Sequence, residues 1–272
     1  MVAPSLSVSA EARLRELGWS WVTDAGQLHL RFPGHAVDAA GNRGRPARAP
    51  TSSARRSARG VGTFAVVRRM LLVSHSRQVE LAAATGLTQP RISQILNRLA
   101  ADDIVARDEN GWTLTDWDRA LQAWLSSYPG PRGVVTYWSG LDDVWSSTLT
   151  ALDALPDTAV VSGDAAADLL APWRQPRLAT VYVTSMDDLG ATGLVQVTPR
   201  SEGTVAVCVP DDRTVWPTAP ITRTFRDRTI NLADPVQVLR DVRLAEDDDA
   251  RQAAERLVDW IKNQYVVTAL HG

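Results

Sequence analysis

From residue 61 onward, blocks in which apolar side chains recur every three to four residues give way to blocks in which they recur every second residue. The first spacing turns one stripe of a helix toward a core, and the second turns one face of a strand toward it. Phe64, Val67, Leu71 and Leu72 make the first helical stripe, with Arg68 and Arg69 on another side. A second helix is predicted over residues 76–85, with Ser76 as its N-cap and Val79, Leu81, Ala82 and Ala83 turned inward. Gly86 permits a sharp turn, because glycine takes a positive φ without steric cost. Thr88 then caps a third helix running to about residue 101, in which Ile92, Ile95, Leu96 and Leu99 fall at i, i+3, i+4 and i+7.

Two short apolar runs, residues 104–107 and 112–114, flank Asp108-Glu109-Asn110-Gly111, whose Asn-Gly pair favours a hairpin turn. A further helix over residues 116–128 aligns Trp117, Leu121 and Trp124 before Pro129-Gly130-Pro131 breaks the chain. Helix, helix, helix, hairpin predicts a winged helix-turn-helix domain at residues 61–129. Residues 130–272 read as a mixed α/β carboxyl-terminal domain. Its strands are expected near 134–138, 159–161, 179–183, 194–197 and 204–209, with helices at 141–155, after Ser162-Gly163-Asp164, at 235–243 and at 248–265. At the other end, residues 1–33 hold a helix and a β-hairpin turning at Asp24-Ala25-Gly26. Residues 34–60, rich in Gly, Pro, Ala, Ser and Arg, have little to bury and are expected to be a mobile basic arm. The predicted fold class is therefore α+β: an amino-terminal helix-hairpin, a basic arm, a winged helix-turn-helix and a mixed α/β domain.

Charge sharpens this picture. The chain carries 29 basic and 31 acidic side chains, so it is nearly neutral as a whole. Yet residues 39–79 contain nine arginines and no acidic residue, leaving 20 basic against 31 acidic side chains elsewhere. A basic arm beside an acidic body suits a protein that displaces counterions from phosphates with one face only. The outward side of the third helix carries Gln89, Arg91, Ser93, Gln94, Asn97 and Arg98, with no carboxylate. Gln89, Arg91 and Gln94 are the candidate base contacts, since glutamine pairs with adenine and arginine with guanine through two hydrogen bonds in the major groove. Thr88, Ser93, Asn97 and Arg98, together with Arg68, Arg69 and Arg107, are candidate contacts to the DNA backbone. The alternative for this face is packing against protein.

In the arm, Arg43-Gly44-Arg45-Pro46 looks like the core of an AT-hook, in which glycine lets the backbone approach the floor of a narrow minor groove between two guanidinium groups. Arg48, Arg55, Arg56 and Arg59 extend the same charge. A basic linker with general affinity for phosphate fits these residues equally, and either use depends on salt.

Other chemistry is sparse. Cys208 is the only cysteine, which excludes an internal disulfide and a cysteine-based zinc cluster; its apolar run predicts a buried strand residue. His29, His35, His75 and His271 lack metal-ligand spacing. Ser162-Gly163-Asp164 lacks the glycine pattern of a nucleophile elbow and reads as a turn. The tryptophans, among them Trp19, Trp112, Trp117, Trp124, Trp138, Trp145, Trp173 and Trp260, read as core. No apolar run approaches the ~18 residues of a membrane span, and residues 1–10 lack the layout of a secretory signal. The expectation is a cytoplasmic, nucleoid-associated protein with no catalytic residue, metal or cofactor.

Residues 78–99, the run Val160-Val161-Ser162-Gly163-Asp164-Ala165-Ala166-Ala167 with Ala179-Thr180-Val181-Tyr182-Val183, and Ala233-Asp234-Pro235-Val236-Gln237-Val238-Leu239-Arg240-Asp241 with Ala253-Ala254-Glu255 resemble the AbiEi-like family of bacterial transcriptional regulators and type IV antitoxins. The resemblance spans the chain beyond its amino-terminal quarter. It implies a winged helix that represses its own operon, with two copies on an inverted repeat, and a second domain that counters a nucleotidyltransferase toxin without a tight complex. The hairpin and arginine arm depart from that pattern. Taken together, the residues predict a sequence-specific regulator bound to double-stranded DNA. Two other classes stay open: an enzyme acting on DNA or nucleotides that a winged helix targets, and a DNA-organising or partner-docking protein.

Overall fold

A computed structural model describes residues 2–3, 7–23, 28–32, 35–39, 60–73, 75–198, 200–216, 221–245 and 247–267. They form an α+β protein that divides into two compact units, Met1–Ala58 and Arg59–Gly272.

The first unit contains β1 (Val2–Ala3), α1 (Val8–Glu16), β2 (Trp21–Thr23), β3 (Leu28–Phe32) and β4 (His35–Ala39). Ser7 caps α1 by accepting a hydrogen bond from the Ala10 amide at 3.2 Å. The sheet runs β1-β2-β3-β4, with β1 parallel to β2 and the other pairs antiparallel. The fourth strand corrects the expected extent of the arm, because residues 35–39 pair with β3 from Phe32↔His35 to Leu28↔Ala39. An open strand edge offers unpaired amides and carbonyls, and this satisfies residues with little else to bury. Trp19 is 56% exposed, so it does not join a core as expected. Arg43, Gly44, Arg45, Arg48, Arg55, Arg56 and Arg59 lie outside the described residues.

The second unit begins with α2 (Val61–Met70), α3 (Gln78–Thr85) and α4 (Gln89–Ala101), followed by the hairpin β5 (Val105–Arg107) and β6 (Trp112–Leu114) and by α5 (Trp117–Ser127). Helix α3 starts later than expected. Its N-cap is Arg77, whose amide donates to Glu80 Oε2 at 2.9 Å, while the Ser76 hydroxyl donates to the same oxygen at 3.2 Å. Leu81 is fully buried, whereas Val79 is 54% exposed and Ala83 is also exposed. Gly86 ends α3 at φ 68°, the left-handed conformation that the turn requires.

The remaining elements are β7 (Val134–Ser139), α6 (Val144–Ala154), β8 (Val160–Ser162), α7 (Gly163–Leu170), β9 (Ala179–Tyr182), β10 (Val195–Val197), β11 (Val205–Val209), β12 (Ile221–Phe225), β13 (Arg228–Leu232), α8 (Pro235–Val242) and α9 (Asp248–Ile261). Their strands make a mixed sheet in the order β10-β7-β11-β9-β8-β13-β12. Side chains of period two divide its faces. Trp138, Val181, Val205 and Val207 pack with Ala151 of α6 and with its C-cap Leu155, while Tyr182 and Cys208 join the core that also holds residues of α7, α8 and α9. The β12–β13 hairpin escaped the sequence analysis. It turns through Arg226 and Asp227, both at positive φ, 48° and 60°, a pair with none of the glycine that usually marks such a turn.

The expected break at Pro129-Gly130-Pro131 falls inside this second unit. The Trp124 indole donates to Phe64 O at 3.0 Å, Tyr128 stacks on Trp124 at 4.5 Å, and the Tyr128 hydroxyl donates to Asp212 Oδ2 at 2.6 Å. The Pro131 carbonyl accepts from the amides of both Asp211 and Asp212. A linker that meets its own backbone needs this way is part of the structure on both sides. No helix among the described residues is long and apolar enough to cross a membrane.

Candidate nucleic-acid interface

Helix α4 is built by its apolar stripe. Ile92, Ile95, Leu96 and Leu99 are each at most 3% exposed and lock the helix onto α2 and α3. Deleting one such side chain costs about 2–5 kcal/mol. Thr88 holds extended N-cap geometry, and Pro90 lies in the first turn, where its missing amide is no loss. Thr88 is the N-cap, as expected, although its side chain makes no cap hydrogen bond.

With the stripe inward, Gln89, Arg91, Gln94, Asn97 and Arg98 are exposed together with Thr88, and Ser93 is half-buried at the edge. The first carboxylate after them along the chain is Asp102, at the far end of the helix. Arg91 Nη1 donates to Gln94 Oε1 at 3.4 Å, so the two side chains lie side by side one turn apart. The Arg91 guanidinium also approaches Gly60, 3.7 Å from where a Cβ would stand there. Gly60 is the N-cap of α2 and the point at which the arm joins the helices. Gly60 itself therefore lies beside the first turns of α4.

The β5–β6 hairpin is anchored next to α3. Ser76 and Trp112 exchange two backbone hydrogen bonds of 2.9 Å, adding an isolated bridge to the hairpin's edge. Gly111 is required there. Its φ is 147°, and a Cβ would meet the Ser76 carbonyl oxygen at 2.6 Å. The Asp108 carboxylate closes the tip by accepting from the amides of Asn110 and Gly111, both at 2.8 Å. Arg107 is exposed on β5. Arg69 is exposed as well, and its charge reaches the Tyr265 phenol near the carboxyl terminus.

Arg68 does not join this surface, and its expected role as a backbone contact is corrected. It is only 3% exposed and points from α2 into the body of the unit. Its Nε pairs with Asp234 Oδ2 at 2.9 Å, Nη1 donates to Gln237 Oε1 at 3.1 Å, and Nη2 reaches the Thr214 carbonyl and hydroxyl. Burial opposes the charge on Arg68, but Asp234, Tyr128 and Asp212 outweigh it and hold the guanidinium protonated. Burial pushes the Asp234 carboxyl up, while Arg68 and the amides of Gln237 and Val236 hold it back. With arginine charged at any working pH, the pair is ionic.

The same polar cluster continues through α8. Gln237 Nε2 donates to Tyr182 Oη and to Asp241 Oδ1, both at 3.1 Å, and Asp241 Oδ2 accepts 2.6 Å bonds from Ser162 and Tyr182. Ser162 is fully buried, and its hydroxyl donates to Asp241 from the start of the Ser162-Gly163-Asp164 turn. This cluster lies outside the expectations drawn from the sequence. Its signal was present in Asp234, Gln237 and Asp241, polar residues spaced by three and four among Val236, Val238, Leu239 and Val242. Cys208 is buried as expected, and burial, reinforced by Asp241 and Asp211, pushes its thiol up to about 12. Trp173, at 45% exposed, is not core; Arg256 lies over its ring at 4.6 Å. Among the described residues no cluster of histidine, cysteine and carboxylate side chains has the geometry of a metal site. No protein-family model matches this chain, and neither a curated protein nor a solved structure does so.

Proposed function

We propose that residues 61–127 act as a winged helix-turn-helix that reads double-stranded DNA, and that the protein is a transcriptional regulator, a repressor of the AbiEi-like kind. Helix α4 enters the major groove, the only groove wide enough for an α-helix and the one in which all four base pairs differ. Gln89, Arg91 and Gln94 meet base edges. Thr88, Ser93, Asn97, Arg98, Arg69 and Arg107 meet phosphates, and the arm, from Arg43-Gly44-Arg45 through Arg48, Arg55, Arg56 and Arg59, follows the minor groove. A second copy on an inverted repeat would double the contacts. The observation that carries this reading is the carboxylate-free, exposed face of α4, with Arg91 beside Gly60, the last residue of the arm.

The test is a salt titration of DNA binding by the full chain. Each neutralised phosphate contributes about −0.9 to the slope of log affinity against log salt, so several contacts give a steep negative slope. A flat slope, or no binding to any duplex in a random-sequence selection, refutes the proposal.

A further inference from the structure

On the sheet face that α8 covers, the helix leaves the β7 and β11 end open. A cavity of about 230 Å³ remains there. Val135, Tyr137 and Cys208 are among the residues of its apolar floor, and Arg132, Arg200 and Arg240 also line it, with Arg200 Nη1 donating to the Leu244 carbonyl at 3.3 Å. The volume lies below the ~300–1,000 Å³ of drug-sized sites, so the cavity suits a small metabolite. Three arginines face one lining carboxylate, Asp241, and that carboxylate already accepts from Ser162, Tyr182, Gln237 and Arg240. Arg240 also donates to the Pro129 carbonyl at 3.3 Å and packs on Gly130, where a Cβ would lie 2.0 Å from its Nη2. Arg132 adopts φ 49°, between Pro131 and Gly133, and its carbonyl accepts from the Cys208 thiol at 3.6 Å. Left-handed backbone at a non-glycine residue is costly and clusters at binding sites.

From this geometry we infer that the cavity is a binding site for a small organic anion, a carboxylate or phosphate monoester with an apolar or aromatic body. Its occupancy regulates the DNA-binding half, a role that rests on the proposal above. The guanidinium groups take the anionic head by charge-assisted hydrogen bonds, and the floor takes the body. Coupling has a short physical route. The cavity is walled by the Pro129–Gly133 linker that follows α5, and its lining residue Asp241 is joined through Gln237 to Arg68 of α2.

The experiment uses the full chain with phenyl phosphate and benzoate as probes and inorganic phosphate as the bare anion, at constant ionic strength. Calorimetry without DNA should show saturable binding, tighter for phenyl phosphate than for inorganic phosphate. The pair Arg132→Gln and Arg200→Gln, both outside residues 61–127, should weaken it about tenfold or more without changing the circular dichroism spectrum. Arg91→Ala should leave it intact. Saturating phenyl phosphate should shift the affinity of the native chain for DNA and leave that of the double variant unchanged. Absence of saturable binding up to about 10 mM, or binding that survives both glutamine substitutions, overturns the site. Binding at the site with no shift in DNA affinity overturns the regulation. A chain that binds the anions but no DNA sinks the earlier proposal and upholds the site.

Discussion

Helices α4 and α8 are both amphipathic, yet their polar sides meet opposite fates. On α4 the residues off the stripe are exposed or half-buried: Gln89, Arg91, Gln94, Asn97 and Arg98 meet solvent, with Ser93 at the edge. On α8 the polar residues Gln237 and Asp241, with the cap Asp234, are buried with the apolar ones, and only Arg240 reaches partly out. The difference is the number of neighbours. Helix α4 packs one side against α2 and α3, whereas α8 lies between the sheet, α7 and α9, with Arg68 of α2 closing its N-terminal end. A buried polar group must find partners, and α8 finds them among its own residues and those of α2, β8 and β9. A surface such as that of α4 keeps its hydrogen-bonding capacity for a ligand.

The largest effect that tests this contrast comes from Arg68→Ala. It strands Asp234 without its ion partner in the interior, and loss of about 3–5 kcal/mol is expected in urea unfolding. Loss below about 1 kcal/mol would show that the cluster does not tie α2 to α8. The double substitution Arg68→Met with Asp234→Leu should recover part of that loss, because it removes the stranded charge while the α8 cap and the Arg68 bonds to Gln237 and Thr214 stay lost.

Arg91→Ala is the matching change on the exposed helix. Stability should move by no more than about 0.5 kcal/mol, since the side chain is exposed. Discrimination among duplex sequences should fall by about 1–3 kcal/mol, read as competition between a selected site and its single-base variants. A uniform loss across all sequences would reassign Arg91 from base to phosphate contact.

The smallest effect is on the exposed caps, which differ from the buried acids by facing water. The amides of Arg77, Ser146 and Ala250 hold the carboxyls of Glu80, Asp143 and Asp247 below their ordinary range. For a carboxyl lowered in the folded state, the stabilisation is complete above the unfolded value, near pH 4, and disappears as pH falls through the folded one. Melting temperature should therefore decline below about pH 4, and Glu80→Gln should flatten part of that decline.

Much of the fold is legible in the chain because period and turn chemistry are local. The Ile92, Ile95, Leu96, Leu99 stripe, the Gly86 turn and the Asn110-Gly111 hairpin all appear as expected. The strand at residues 35–39 was hidden, since its residues make no clear alternation and gain a reason to extend only from the edge of β3. The β12–β13 hairpin was hidden for a similar reason, its turn carrying arginine and aspartate where glycine is usual. Of the candidate site, the α4 face was readable from the residues left over by the stripe. Arg68 was not, because Phe64, Val67 and Leu71 define one buried side of α2 and are silent about a second.

By itself the sequence determines most of the helices and strands, where most of them turn, and that a carboxylate-free helix surface follows an arginine tract, because each of these depends on residues close together in the chain. Only tertiary structure decides which polar groups are covered. Arg68 meets Asp234 across 166 positions of sequence, and Ser162 meets Asp241 across 79, so their burial follows from packing that no local pattern encodes.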